Sequence, residues 1–154
     1  LKSPGHRVLE GEWQRAFTQA SDAFAPCTNC GAEISWPTGK SKEKCWNCAT
    51  FLSPPPFAVF EAKQNQAKVI VALYEGAKVR ALHFNGNLDD LTVWAKVEVH
   101  PTAPGKLGLK NKTDSAWRYK KPDGSWIPVE PGQRASVVLG AEIQIGIHSL
   151  SFEL

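Results

Sequence analysis

All four cysteines of the chain fall in one stretch: C-T-N-C from Cys27, fourteen residues from Gly31 to Lys44, then C-W-N-C ending at Cys48. Two residues between ligands let both sulfurs of a pair reach one ion, and a loop of this length brings two such pairs together. The spacing predicts a four-thiolate site at Cys27, Cys30, Cys45 and Cys48 that holds a structural zinc ion; iron accepts the same geometry. Gly31 directly follows the first pair, where such a knuckle needs a residue that tolerates positive φ. Disulfides and redox-active pairs also use C-x-x-C. Two such pairs alone make an unusual disulfide framework, however, and neither is followed by the helical pattern that redox chemistry requires. Four sulfur ligands leave an ion no open position, so the expected role is structural. The stretch holds little apolar material, and metal binding is expected to supply most of its folding free energy.

The chain as a whole, 42% hydrophobic and 21% charged, has the balance of a globular protein. No apolar run is long enough to span a bilayer. The formal net charge is +3; a zinc held by four thiolates carries about −2, leaving about +1, which is no argument for nucleic acid as a partner. Thiols in zinc spacing point to a reducing compartment, the cytoplasm. The chain has no methionine and begins Leu1-Lys2-Ser3-Pro4, so it is expected to be a piece of a larger protein.

Ahead of the cysteines, residues 9–25 read as a helix, with Trp13, Ala16, Phe17, Ala20 and Phe24 on one apolar stripe. Such a stripe must lie on the rest of the chain or on a domain upstream. After the cysteines, Ser53-Pro54-Pro55-Pro56 reads as a stiff spacer. From there the hydrophobic period becomes two. A hairpin is expected over 69–74 and 77–84 around Glu75-Gly76, with strands at 94–99, 107–110, 117–120, 126–129, 135–139, 142–147 and 149–154. The expected fold is mainly β: an N-terminal segment (1–26) that carries the short helix, a zinc ribbon (27–52), a proline-rich linker (53–66) and an antiparallel β-sandwich (67–154).

Little in the chain promises catalysis. His6, His83, His100 and His148 are scattered, Asp89-Asp90 reads as a solvated turn, and no nucleophile elbow or phosphate-cradling loop appears. No enzyme is expected. The basic stretch from Lys106 to Lys121 offers Lys110, Lys112, Arg118 and Lys120 as an anion-binding face interleaved with Trp117 and Tyr119, or simply as the wet side of core strands. Trp36 and Trp46 read either as the ribbon's small core or as anchors for a partner.

Two stretches resemble known families. His6-Arg7-Val8-Leu9-Glu10-Gly11-Glu12-Trp13 resembles the end of bacterial protein-kinase domains, with Arg7, Glu12 and Trp13 matching and Val8 in place of a proline. Residues 69–154 resemble a divergent forkhead-associated domain, a fold whose active members read phosphothreonine. The likeness runs from Leu107-Gly108-Leu109-Lys110-Asn111-Lys112-Thr113 through Pro122-Asp123-Gly124 and Pro131-Gly132 to Gly140-Ala141-Glu142-Ile143-Gln144-Ile145-Gly146. The family's Gly-Arg, Ser-x-x-His and Asn-Gly are missing, with Asn85-Gly86-Asn87, Thr92 to Ala95 and Asp114-Ser115-Ala116-Trp117 at their places. The resemblance therefore implies the fold as an interaction surface without a phosphothreonine site. The order of the parts is similar to the tail of kinases from tellurite-resistance-associated clusters. That likeness implies two partners: the parent kinase domain and a von Willebrand A-domain protein, whose metal would take a carboxylate from a loop, where Asp89, Asp90, Asp114 and Asp123 lie and Asp114 and Asp123 are the candidates.

Overall fold

The structure is a computed structural model that describes residues 9–36, 41–60 and 68–154. His6, Arg7 and Val8 of the kinase-like stretch, and residues 61–66 of the expected linker, lie outside them. Helix α1 (Glu10–Asp22) leads into two small hairpins, β1 (Phe24–Pro26) with β2 (Glu33–Ser35) and β3 (Glu43–Lys44) with β4 (Phe51–Leu52). Ten strands and a short helix follow: β5 (Phe57–Phe60), β6 (Val69–Ala72), β7 (Lys78–Arg80), α2 (Leu82–Asn85), β8 (Val93–Val99), β9 (Leu107–Asn111), β10 (Trp117–Lys120), β11 (Trp126–Val129), β12 (Arg134–Ser136), β13 (Glu142–Ile145) and β14 (His148–Glu153). They form two antiparallel sheets in the orders β11-β10-β13-β14-β5-β6 and β12-β9-β8-β7. The mainly β fold with one N-terminal helix and an antiparallel sandwich is the expected one.

Alternation of side chains builds the core between the sheets. Trp117 and Tyr119, Ile143 and Ile145, and Leu150 and Phe152 point inward from β10, β13 and β14, opposite Val79, Ala95, Val97 and Leu109. Strand β5 departs from alternation, because all four of its residues are buried. Ala58 and Phe60 face the sandwich core, while Phe57 and Val59 face a second core with Ala25, Ile34, Trp36 and Leu52 of the ribbon. The cysteine-bearing hairpins therefore lie on the outer face of the six-stranded sheet, and Phe57–Phe60, read from the sequence as spacer, is a central strand.

Two other expectations change. The turn at Glu75-Gly76 forms, with Ala77 N–H donating to Tyr74 O at 2.9 Å and Gly76 at φ 87°. It does not close a hairpin, since β6 pairs with β5 and β7 with β8. Both flanking strands are apolar on their inner sides, and the chain crosses from one sheet to the other there. Residues 82–84, the end of the strand expected over 77–84, belong instead to α2, which buries Leu82, His83 and Phe84. Gly86 ends it in the left-handed region at φ 72°. Phe84 then packs edge-on to Phe60 at 4.8 Å and stacks on Trp94 at 4.7 Å.

Candidate metal centre

The two cysteine pairs sit on matching turns. Gly31 N–H donates to Cys27 O and Ala49 N–H to Cys45 O, both at 2.9 Å; Cys27 and Cys45 N–H in turn donate to Ala32 O and Thr50 O. The residue after each pair takes positive φ, 76° at Gly31 and 60° at Ala49, so the second knuckle places an alanine where the first has glycine. The turns face each other and bring the four sulfurs within 4.8 Å of one another. Cys27 Sγ lies 3.7 Å from Cys48 Sγ, and Cys30 Sγ lies 3.6 Å from Cys45 Sγ. Disulfide sulfurs stand about 2.05 Å apart, so neither contact is one. Metal–sulfur bonds of about 2.3 Å in a tetrahedron put sulfurs about 3.8 Å apart, and the observed edges fit that figure.

The surrounding donors prepare the sulfurs for a cation. The Thr50 hydroxyl and the Asn29 amide beside Cys48 bring its thiol down to about 5. The Ala32 backbone N–H and the Asn47 amide lower Cys30, and the Asn47 amide lies 3.5 Å from its sulfur. At Cys45 the N–H of Cys48 pulls the other way, but burial and the sulfurs of Cys48 and Cys30 push the thiol up to about 11. Negative charge at one sulfur holds a neighbour protonated, and a divalent ion among the four removes that opposition. Cys27 and Cys45 are buried, Cys48 is half-buried and Cys30 is exposed. The donor set thus fits a closed structural ion, with no position for substrate.

The other residues singled out from the sequence are dispersed. Trp36, 2% exposed, is core between ribbon and sheet and has no surface to offer as an anchor. Trp46, 76% exposed, donates its indole N–H to Glu33 O at 3.1 Å and leaves its ring in solvent. The basic stretch does not form one face. Arg118 and Lys120 project from the outer face of the six-stranded sheet over Trp126, at 4.6 and 5.6 Å from its ring centre. Lys110 lies on the opposite sheet, 3.3 Å from Glu98 Oε1, and Lys112 lies in the loop after β9. The strands alternate their side chains, and the chain changes sheets between β9 and β10, which separates residues close in sequence. Asp114 is exposed and accepts from Ser115 Oγ; Asp123 accepts from Ser125 N–H and Oγ, and that hydroxyl lowers its carboxyl.

One contact had no sequence signal. His83, its side chain fully buried, directs Nε2 at Asp22 Oδ2 at 3.0 Å, while its Nδ1 accepts Arg80 N–H at 3.0 Å. The tautomer with its proton on Nε2 satisfies both bonds. This contact fastens the end of α1 to the sandwich across 61 positions of chain.

Fold and site together define a β-sandwich carrying on one face a ribbon whose four cysteines are placed to hold a metal ion. No family model matches the chain, and neither a curated protein nor a solved structure matches it. Among the described residues no helix is long and apolar enough to cross a membrane.

Proposed function

We propose that this chain is a non-catalytic, cytoplasmic docking tail of a bacterial protein kinase, with structural zinc in the ribbon and a divergent forkhead-like sandwich as its platform. The observation that carries the reading is the posture of α1. Its Thr18, Gln19 and Asp22 are the half-buried positions, and the last is fastened to His83. Leu9, Trp13 and Phe17 stand 70%, 53% and 67% exposed, with the Trp13 and Phe17 rings stacked at 5.7 Å. The stripe, expected to lie on the rest of the chain or on a domain upstream, faces outward at Trp13 and Phe17, as it would if a preceding kinase domain covered it. A helix fixed on one side and apolar on the other would transmit the position of that domain to ribbon and sandwich.

Zinc suits four thiolates in a tetrahedron and adds no redox chemistry. The division of the basic residues between opposite sheets speaks against a polyanion face, and protein partners, a von Willebrand A-domain protein among them, are favoured over nucleic acid. The test is capture from a bacterial lysate with the zinc-loaded chain as bait, in parallel with phosphatase-treated and nuclease-treated lysate. A von Willebrand A-domain protein retained equally in all three supports the reading. Loss on phosphatase treatment would replace it with phosphopeptide binding, and loss on nuclease treatment with nucleic-acid binding.

A further inference from the structure

The four-stranded sheet ends at β12, and no strand lies beyond it among the described residues. Asn111 N–H donates to Gln133 O at 2.8 Å and Val137 N–H to Leu107 O at 3.0 Å. In an antiparallel ladder bonded and non-bonded pairs alternate. With Ala135 opposite Leu109 in a bonded pair, Arg134 and Ser136 stand in the non-bonded pairs opposite Lys110 and Gly108. Their N–H and C=O groups therefore point away from β9, along the free edge.

A groove of about 760 Å³ is lined by β12 and the residues after it, by the start of β9 and by the loop before it. Gly108 contributes no side chain to it, and a Cβ there would meet Arg134 Cβ at 3.4 Å. One rim is apolar, with Val138 and Leu139 42% and 46% exposed. The other carries His100 and Lys106, and among the described residues no Asp or Glu lines the groove. The Lys106 ammonium has no ion pair among the described residues, whereas Arg134 is held by Glu98, Nε to Oε2 at 2.6 Å. His100 is exposed, and its Nδ1 accepts Thr102 N–H at 3.3 Å.

We propose that this groove receives an extended, acidic segment of a partner protein, which adds a strand to β12 through the backbone of Arg134 and Ser136. An acidic side chain of that segment meets Lys106 and His100, and an apolar one lies against Val138 and Leu139. Main-chain bonds along an edge supply affinity in this mode, and alternate side chains supply selectivity. None of the residues lining the groove belongs to α1 or to the four-cysteine ribbon. The inference deepens the docking reading and rests on it.

The probes are fluorescein-labelled peptides of alternating valine and aspartate, the valine and lysine counterpart, and the acidic peptide N-methylated at every second backbone nitrogen. Each is titrated by anisotropy against the full zinc-loaded chain. The acidic peptide is expected to bind, the basic one at least about tenfold more weakly, and the N-methylated one not at all. Lys106→Glu is expected to weaken the acidic peptide by about tenfold, and Ser136→Pro to do the same by removing an edge donor. Circular dichroism checks that each variant folds, and amide exchange on the unmodified chain should slow at Arg134 and Ser136 when the acidic peptide is added. Absence of binding, binding indifferent to N-methylation or to Lys106→Glu, or protection at another edge would overturn the inference. If the von Willebrand A-domain protein is still captured by the Lys106→Glu and Ser136→Pro variants, the groove fails and the docking reading stands.

Discussion

Ala49 is where this chain departs most plainly from the local chemistry of its own fold. The two knuckles share their hydrogen bonds, yet one places glycine and the other alanine in the left-handed region. A Cβ in that region costs roughly 1 kcal/mol, so Ala49→Gly is expected to raise the melting temperature of the metal-loaded chain, with no change in the number of metal ions bound. Asn111 is the opposite case, a polar side chain 1% exposed whose groups are all used. Its amide donates to Ser115 O and Val129 O, and its carbonyl accepts from Thr113 N–H and Oγ1. Asn111→Ala leaves those partners unmet and should cost about 2 kcal/mol in denaturant unfolding. The cysteine cluster was legible in the sequence because ligand spacing is a local property. Asn111 and the Asp22–His83 contact were not, because a buried polar group declares itself only through partners that the fold brings to it.

At the level of elements, the same contrast separates what periodicity could show from what it could not. Strands β8, β10, β13 and β14 follow the period-two alternation that an open sandwich face imposes; β8 to β11 and β14 lie within a residue of their expected bounds, while the strands expected over 135–139 and 142–147 end at Ser136 and Ile145. Strand β5 is buried on both faces, so it lacks alternation, and the prolines before it disguised it as a spacer. The crossing between β6 and β7 carries the turn chemistry of a hairpin, and only the partner strands tell the two apart. The ribbon's place on β5 has a measurable consequence. If the metal supplies its folding free energy, chelation should unfold β1 to β4, release Trp36 to solvent with a red-shifted fluorescence, and uncover Phe57 and Val59 for a hydrophobic dye. Unchanged fluorescence after complete metal removal would show that the second core holds the ribbon by itself. Across the other sheet, Glu98 of β8 joins Lys110 of β9 and Arg134 of β12. The Arg134 hydrogen bond, with help from Lys110, lowers the Glu98 carboxyl. A carboxyl lowered on folding adds stability above its unfolded pKa, and that stability is lost as pH falls through the folded value. Glu98→Gln should therefore melt earlier than the unmodified chain at neutral pH, with the gap closing in acid below the ordinary carboxylate range.

For the whole molecule, the question is whether α1 moves with the sandwich or hangs from it. Its apolar stripe contributes nothing to holding it, since Leu9, Trp13 and Phe17 face outward. A helix of 13 residues is marginal on its own in water, so its order must come from its last turn and the chain that follows. There Trp36 N–H donates to Ala23 O at 2.9 Å, and Asp22 accepts from the buried ring of His83. Removing the acceptor leaves a buried N–H without a partner, a cost of about 1–3 kcal/mol. Asp22→Ala is therefore expected to speed amide exchange throughout α1 while the amides of β8, β13 and β14 keep their protection. Asp22→Asn retains an oxygen for the His83 Nε2 proton and should restore most of the slow exchange, which a purely electrostatic attachment would not allow. If α1 exchanges equally slowly in all three proteins, the helix is held by its half-buried Thr18 and Gln19 instead, and the rigid coupling ascribed to the Asp22–His83 contact is lost.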